Sequence, residues 1–160
     1  MSAWNFTLAV VKNEDNSEFD GYVYRDGVVS VRSMNRTWLI DYEVNADGFI
    51  TAVEKAEQEI VADGGRVIGL EPDDLVSLQE MAHESGLGWG RMHTLANAND
   101  IDPMPLPINR MSSEKPLWSW REVSAWLAKR GFISQHIAKV AADAQAINQE
   151  IKLRNQSRDA

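Results

Sequence analysis

Cysteine is absent from all 160 residues. That excludes disulfides, thiolate metal centres and a cysteine nucleophile, and it suits a reducing compartment. No apolar run is long enough to span a bilayer. The first residues also lack the basic-then-apolar pattern of a secretory leader, with Asn13, Glu14 and Asp15 following the opening apolar stretch instead. The expectation is a soluble, cytoplasmic protein. Positive charge is in deficit, at 16 basic against 24 acidic residues and a net charge of −8. The deficit is uneven: residues 1–71 carry 13 acidic and 6 basic side chains, whereas residues 72–160 carry 11 and 10. A nearly neutral C-terminal part can still turn a basic face to a polyanion, while the acids around residues 13–20 and 41–47 read as solvated surface.

Signatures of catalysis are missing as well. Gly86, Gly88 and Gly90 have neither a strand before them nor a Lys-Ser pair after them, so they form no phosphate loop. No nucleophile elbow is present. His83 and His93 stand apart without a carboxylate frame that would make them metal ligands. The expectation is a non-enzyme without cofactor or metal.

What is present is a patterned chain, 44% hydrophobic. Trp4, Phe6, Leu8 and Val10 alternate with smaller or polar residues, which predicts a strand with one buried face. Glu18 to Arg25 places Phe19, Tyr22 and Val23 at helical spacing around Gly21. Val28 to Arg32 and Thr37 to Val44 read as paired strands, with a polar tip at Ser33 to Arg36. A helix follows, capped by Asp47, with Phe49, Ile50, Val53, Ala56, Glu57 and Ile60 on one face and a stop at Gly64-Gly65. Arg66 to Leu70 is a further strand. The order βαββαβ predicts a ferredoxin-like domain over residues 1–71, within an α+β chain.

Glu71-Pro72-Asp73-Asp74 reads as a junction. Ser77 with Glu80 forms the capping-box pattern of a helix that buries Leu78, Met81 and Ala82 and ends at Ser85-Gly86. A second helix runs from about Gly88 to Asn97 and buries Leu87, Met92 and Leu95. The alternate prolines Pro103, Pro105 and Pro107 exclude helix beyond it. Ile108 to Met111 and Pro116 to Trp118 flank a polar Ser112 to Lys115 tip, as in a hairpin. Trp120 to Arg130 is amphipathic through Val123, Trp126 and Leu127 and stops at Gly131. Trp118, Trp120 and Trp126 read as core. A long helix from Ser134 to about Asn155 carries Ile137, Val140, Ala144, Ile147 and Ile151 in steps of three and four. That stripe is either a dimer seam or a face packed on the chain itself.

Two helices joined at a glycine, followed by a hairpin and a supporting helix, are the parts of a winged helix-turn-helix over residues 72–131. In that arrangement Arg91 can pair with guanine, and His93, Thr94 and Asn97 can reach bases or phosphates. Arg110 and Lys115 on the wing, with Arg121, Lys129 and Arg130 beyond, suit phosphates. Leu106-Pro-Ile-Asn-Arg110, the polar gap after it and the run Leu117 to Leu127 resemble the wing and following helix of MerR-like and phage-excisionase-type regulators. Leu75 to Gly86 resembles the first helix and turn of that family. Residues 1–131 are also similar to an actinobacterial-type group that joins a small acidic α/β domain to such a module through a junction like Val67 to Val76. The resemblance implies sequence-specific binding of double-stranded DNA, usually as a dimer, in gene regulation or recombination control; the leading reading is a dimeric transcriptional regulator, with residues 132–160 and their stripe as the candidate dimerisation element. The recognition helix departs from the family by opening Gly88-Trp89-Gly90. Two other readings keep a protein partner in view: an antitoxin-type protein that neutralises its partner and autoregulates, and a docking module that presents Trp89.

Overall fold

The computed structural model describes residues 2–11, 22 and 25–159, without the side chains of 158 and 159. Among the described residues it is an α+β structure of five helices, an antiparallel four-stranded sheet and a two-stranded one. The chain divides into two compact units. One comprises residues 1–72 and 146–160; the other comprises residues 73–145.

The first unit is built on β1 (Ser2–Val11), β2 (Val28–Met34), β3 (Thr37–Ala46) and β4 (Val67–Glu71), in the spatial order β2-β3-β1-β4. Period-two alternation sends Phe6, Leu8 and Val10 of β1 and Trp38, Ile40, Tyr42 and Val44 of β3 to one buried face. The register sets these residues directly opposite one another, Phe6 to Tyr42, Leu8 to Ile40 and Val10 to Trp38. The helix α1 (Phe49–Ala62) buries Phe49, Ala52, Val53, Ala56 and Ile60, and the small Ala52 and Ala56 let it approach closely. Phe49 meets the Phe6 ring edge-on at 6.0 Å.

Several expectations for this unit need correction. Pairing of β1 with β3 continues to Ser2 and Ala46, so the strand consumes the residues before the helix. Gly48, not Asp47, is the N-cap, and it makes no side-chain capping bond. Ile50 faces outward, and Glu57 is held by Arg154. The β2–β3 tip is only Asn35-Arg36, both at positive φ (53° and 63°), as a two-residue hairpin turn of the primed type requires. The helix expected at Glu18 to Arg25 lies outside the described residues, apart from Tyr22 and Arg25.

In the second unit, β5 (Leu75–Val76) pairs with β6 (Trp118–Ser119). Between them lie α2 (Leu78–Ser85) and α3 (Trp89–Asn97), and after them come α4 (Trp120–Lys129) and the first part of α5 (Gln135–Asp159). Both halves of the Ser77–Glu80 capping box are formed, and Gly86 closes α2 at φ 73°. Met81, Met92, Trp118, Trp120, Val123, Trp126 and Leu127 make one buried cluster. Trp118 thus joins β5 instead of a long hairpin strand. Asp74 also acts elsewhere than at the helix nearest in sequence. Its carboxylate accepts from the Ser119 hydroxyl at 2.9 Å and from the Arg121 N–H at 2.9 Å, and its carbonyl accepts from the Trp120 N–H at 2.7 Å. It serves the start of α4, where exposed N–H groups favour an anion.

Residues 132–160 do not form a separate body. The α5 helix belongs to the second unit up to Gln145 and to the first from Ala146. Its stripe is largely covered within the chain: Ile137 packs on the second unit's core, Val140 and Ile147 are half-buried, and Ala144 and Ile151 are 2% and 1% exposed.

Candidate nucleic-acid interface

The α3 helix starts without a side-chain cap. Gly88, at φ 88°, occupies the cap position, and its carbonyl takes the first helical bond from Met92 N–H at 3.1 Å. Met92 is fully buried, and this anchor fixes which faces of α3 are turned outward. Trp89, His93, Ala96 and Asn97 recur at intervals of four, three and one, so they share one face. The Trp89 and His93 rings stack at 4.7 Å with 23° between planes, and Trp89 remains 56% exposed.

The segment from Ile108 to Leu117 is a short hairpin. Leu117 N–H donates to the Asn109 carbonyl at 2.9 Å, and the Ile108 N–H donates to the Leu117 carbonyl at 2.8 Å. This bridge is isolated, not a ladder. Arg110 turns the chain with φ 51°, and its carbonyl accepts from Ser113 N–H at 3.0 Å. Backbone geometry therefore sets both Arg110 and Lys115 at the hairpin tip.

The hairpin and the α3 face enclose a groove of about 790 Å³. His93 and Asn97 from α3 and Arg110 and Lys115 from the hairpin line it together with Trp89. Four of the nine residues expected to reach bases or phosphates thus share one surface. The others do not line it. Arg91 lies on another face of α3, with its guanidinium 5.0 Å from the centroid of the Phe132 ring. Thr94 returns its hydroxyl to the Gly90 carbonyl at 3.0 Å. Arg121 begins α4, where Asp74 holds its backbone N–H. Arg130 does not reach outward either; it holds the loop before the hairpin, pairing with Asp100 at 3.0 Å over the Trp126 ring. The Ile101 N–H first, and then Arg130, keep the Asp100 carboxyl below its ordinary value.

Sequence reasoning missed two features of this surface. Glu80 and Glu114 also line the groove, so its charge is mixed. Glu80 was legible only as a capping residue. Leu106, Ile108 and Met111 are exposed beside it. Met104, Leu106 and Ile108 alternate with the prolines as in a half-buried strand, yet Met104 is the residue of that run that enters the core.

No family model matches the chain, and no curated protein or solved structure matches it either.

Proposed function

We propose that residues 73–145 act as a winged helix-turn-helix that binds double-stranded DNA, with α3 in the major groove and the Asn109–Leu117 hairpin as the wing, and that the protein is a transcriptional regulator. One observation carries the reading: Arg110 and Lys115 of the hairpin line the same groove as His93 and Asn97 of α3. Those are the side-chain types that reach base edges and phosphates from such elements. The formed capping box and the left-handed Gly86 support the compact turn that the module needs. Within this proposal the first unit is a ferredoxin-like βαββαβ domain, supported by the antiparallel order β2-β3-β1-β4. Binding as a homodimer belongs to the same proposal, and surfaces other than the covered Ala144 and Ile151 would supply most of its contact area.

Fluorescence anisotropy with the chain's own upstream DNA tests it. Binding should weaken steeply with salt. Arg110→Ala and Lys115→Ala should each lower the salt slope by about 1 if each neutralises a phosphate. A folded protein that binds no DNA at low ionic strength sinks the proposal.

A protein-docking role is the second reading. The exposed Trp89, which shares the groove with Pro107 and Arg110, favours it, because exposed apolar surface marks interaction sites.

A further inference from the structure

The α3 helix turns few hydrogen-bonding groups toward the groove. Its lining residues are Trp89, His93, Ala96 and Asn97, with no arginine or lysine among them. Arg91 is the one side chain of α3 suited to paired bonds with guanine, and its guanidinium sits over the Phe132 ring instead. Thr94 returns its hydroxyl to the Gly90 carbonyl, and Asn97 commits a carboxamide N–H to the His93 carbonyl at 2.8 Å. Ala96 is half-buried against the core.

What the helix offers instead is an aromatic pair. Trp89 stands in the first turn and His93 one turn on, with their rings stacked at 4.7 Å. Met92, between them in sequence, is fully buried, so the backbone that carries both rings is anchored. The stack with His93 holds the indole, yet Trp89 stays mostly exposed. It therefore presents apolar area at the N-terminal end of α3, the part of a recognition helix that meets base edges.

The major groove shows hydrogen-bonding atoms on every base pair but a single apolar group, the C5 methyl of thymine. On the reading that α3 enters the major groove, we infer that Trp89 is the specificity-determining residue of this helix and reads a thymine methyl, with His93 as the positioning residue that holds the indole. Recognition by α3 is then mainly apolar and selects A·T pairs where Trp89 docks. The cations of the hairpin, Arg110 and Lys115, set the register through phosphates. This inference rests on the DNA-binding reading, and the experiment below separates the two.

A duplex selected from a random-sequence pool by the full chain, then scanned by replacing each thymine with uracil, tests it. Anisotropy should show about fourfold weaker binding for uracil at one or more positions, as expected for the loss of one buried methyl-sized group. Replacing that T·A pair by C·G should weaken binding, and 5-methylcytosine at the same place should recover part of the loss. Trp89→Ala should bind the thymine and uracil duplexes equally, with its salt slope unchanged because the phosphate contacts remain; low salt keeps its weaker binding measurable. Trp89→Phe should keep part of the methyl preference. His93→Ala should reduce that preference without altering the salt slope, and an undiminished preference removes its positioning role. Indifference to uracil at every thymine, or a methyl preference that persists in Trp89→Ala, overturns the role of Trp89 and leaves DNA binding standing. A folded chain that selects no duplex at low salt overturns both.

Discussion

Asn148 completes the hydrogen bonding of Leu70. Its Nδ2 donates to the Leu70 carbonyl at 2.8 Å, and its Oδ1 accepts from the Leu70 N–H at 2.9 Å. Strand β4 is an edge strand, and edges with free backbone groups invite pairing with other chains. A single carboxamide on α5 occupies both groups, and Asn155 adds a bond to the Val67 carbonyl at 3.1 Å. Asn148→Ala should cost about 2 kcal/mol in chemical denaturation and raise light scattering at high concentration. Asn148→Asp should cost more than Asn148→Ala, because a carboxylate would face the Leu70 carbonyl.

Asp74 and Ser77 are three residues apart but support different helices. Ser77→Ala removes one cap of α2 and should cost about 1 kcal/mol. Asp74→Ala unpairs the Ser119 hydroxyl and the Arg121 N–H together and should cost about 2–3 kcal/mol. A melting comparison in which the two variants are equal would contradict the assignment of Asp74 to α4.

Asp41 predicts an acid limb to stability. Burial alone would raise its carboxyl, but hydrogen bonds from Ser30, Thr7 and Arg32 outweigh that and hold it below its ordinary value. A carboxyl depressed in the folded state contributes stability that is fully present above the unfolded value of about 3.9 and is lost as pH falls through the folded value. Urea midpoints should therefore fall on acidification below about pH 4, and less steeply in Asp41→Asn. Parallel curves for the two proteins would rule out this role.

Trp89 separates the two functional readings. It is exposed and stacks on His93, so Trp89→Ala should change stability by no more than the roughly ±0.5 kcal/mol usual at surfaces. If the surface docks a protein, capture of that protein should fail in the variant while DNA affinity is kept. Loss of DNA affinity alone would assign Trp89 to the nucleic-acid side.

Local signals were readable from sequence, and remote ones were not. The Ser77–Glu80 box and the Gly86 and Gly131 stops depend on residues within a turn of each other, and they stand where their spacing puts them. The alternation in β1 and β3 and the burial of Trp118, Trp120 and Trp126 were equally legible. Asp47 misled because strand pairing extended to Ala46, a tertiary effect that overrides local preference. Arg91 was legible as a donor but not as a side chain seated over Phe132, which comes from beyond the hairpin. The heptad stripe of α5 was ambiguous because each end of that helix is buried in a different unit. The Tyr42 hydroxyl, without a hydrogen-bond partner among the described residues, had no sequence signal, since its alternation marks it simply as an inward strand residue.

The division of α5 also has a consequence for synthesis. Strands β1 to β4 leave the ribosome well before Asn148 and Asn155, and the whole of residues 73–145 is translated between them. At roughly 5–20 residues per second, the edge at Leu70 waits several seconds for its covering helix. During that interval the nascent chain presents an unshielded strand, so a chaperone that holds β-edges should matter more to the yield of this protein than to its final stability.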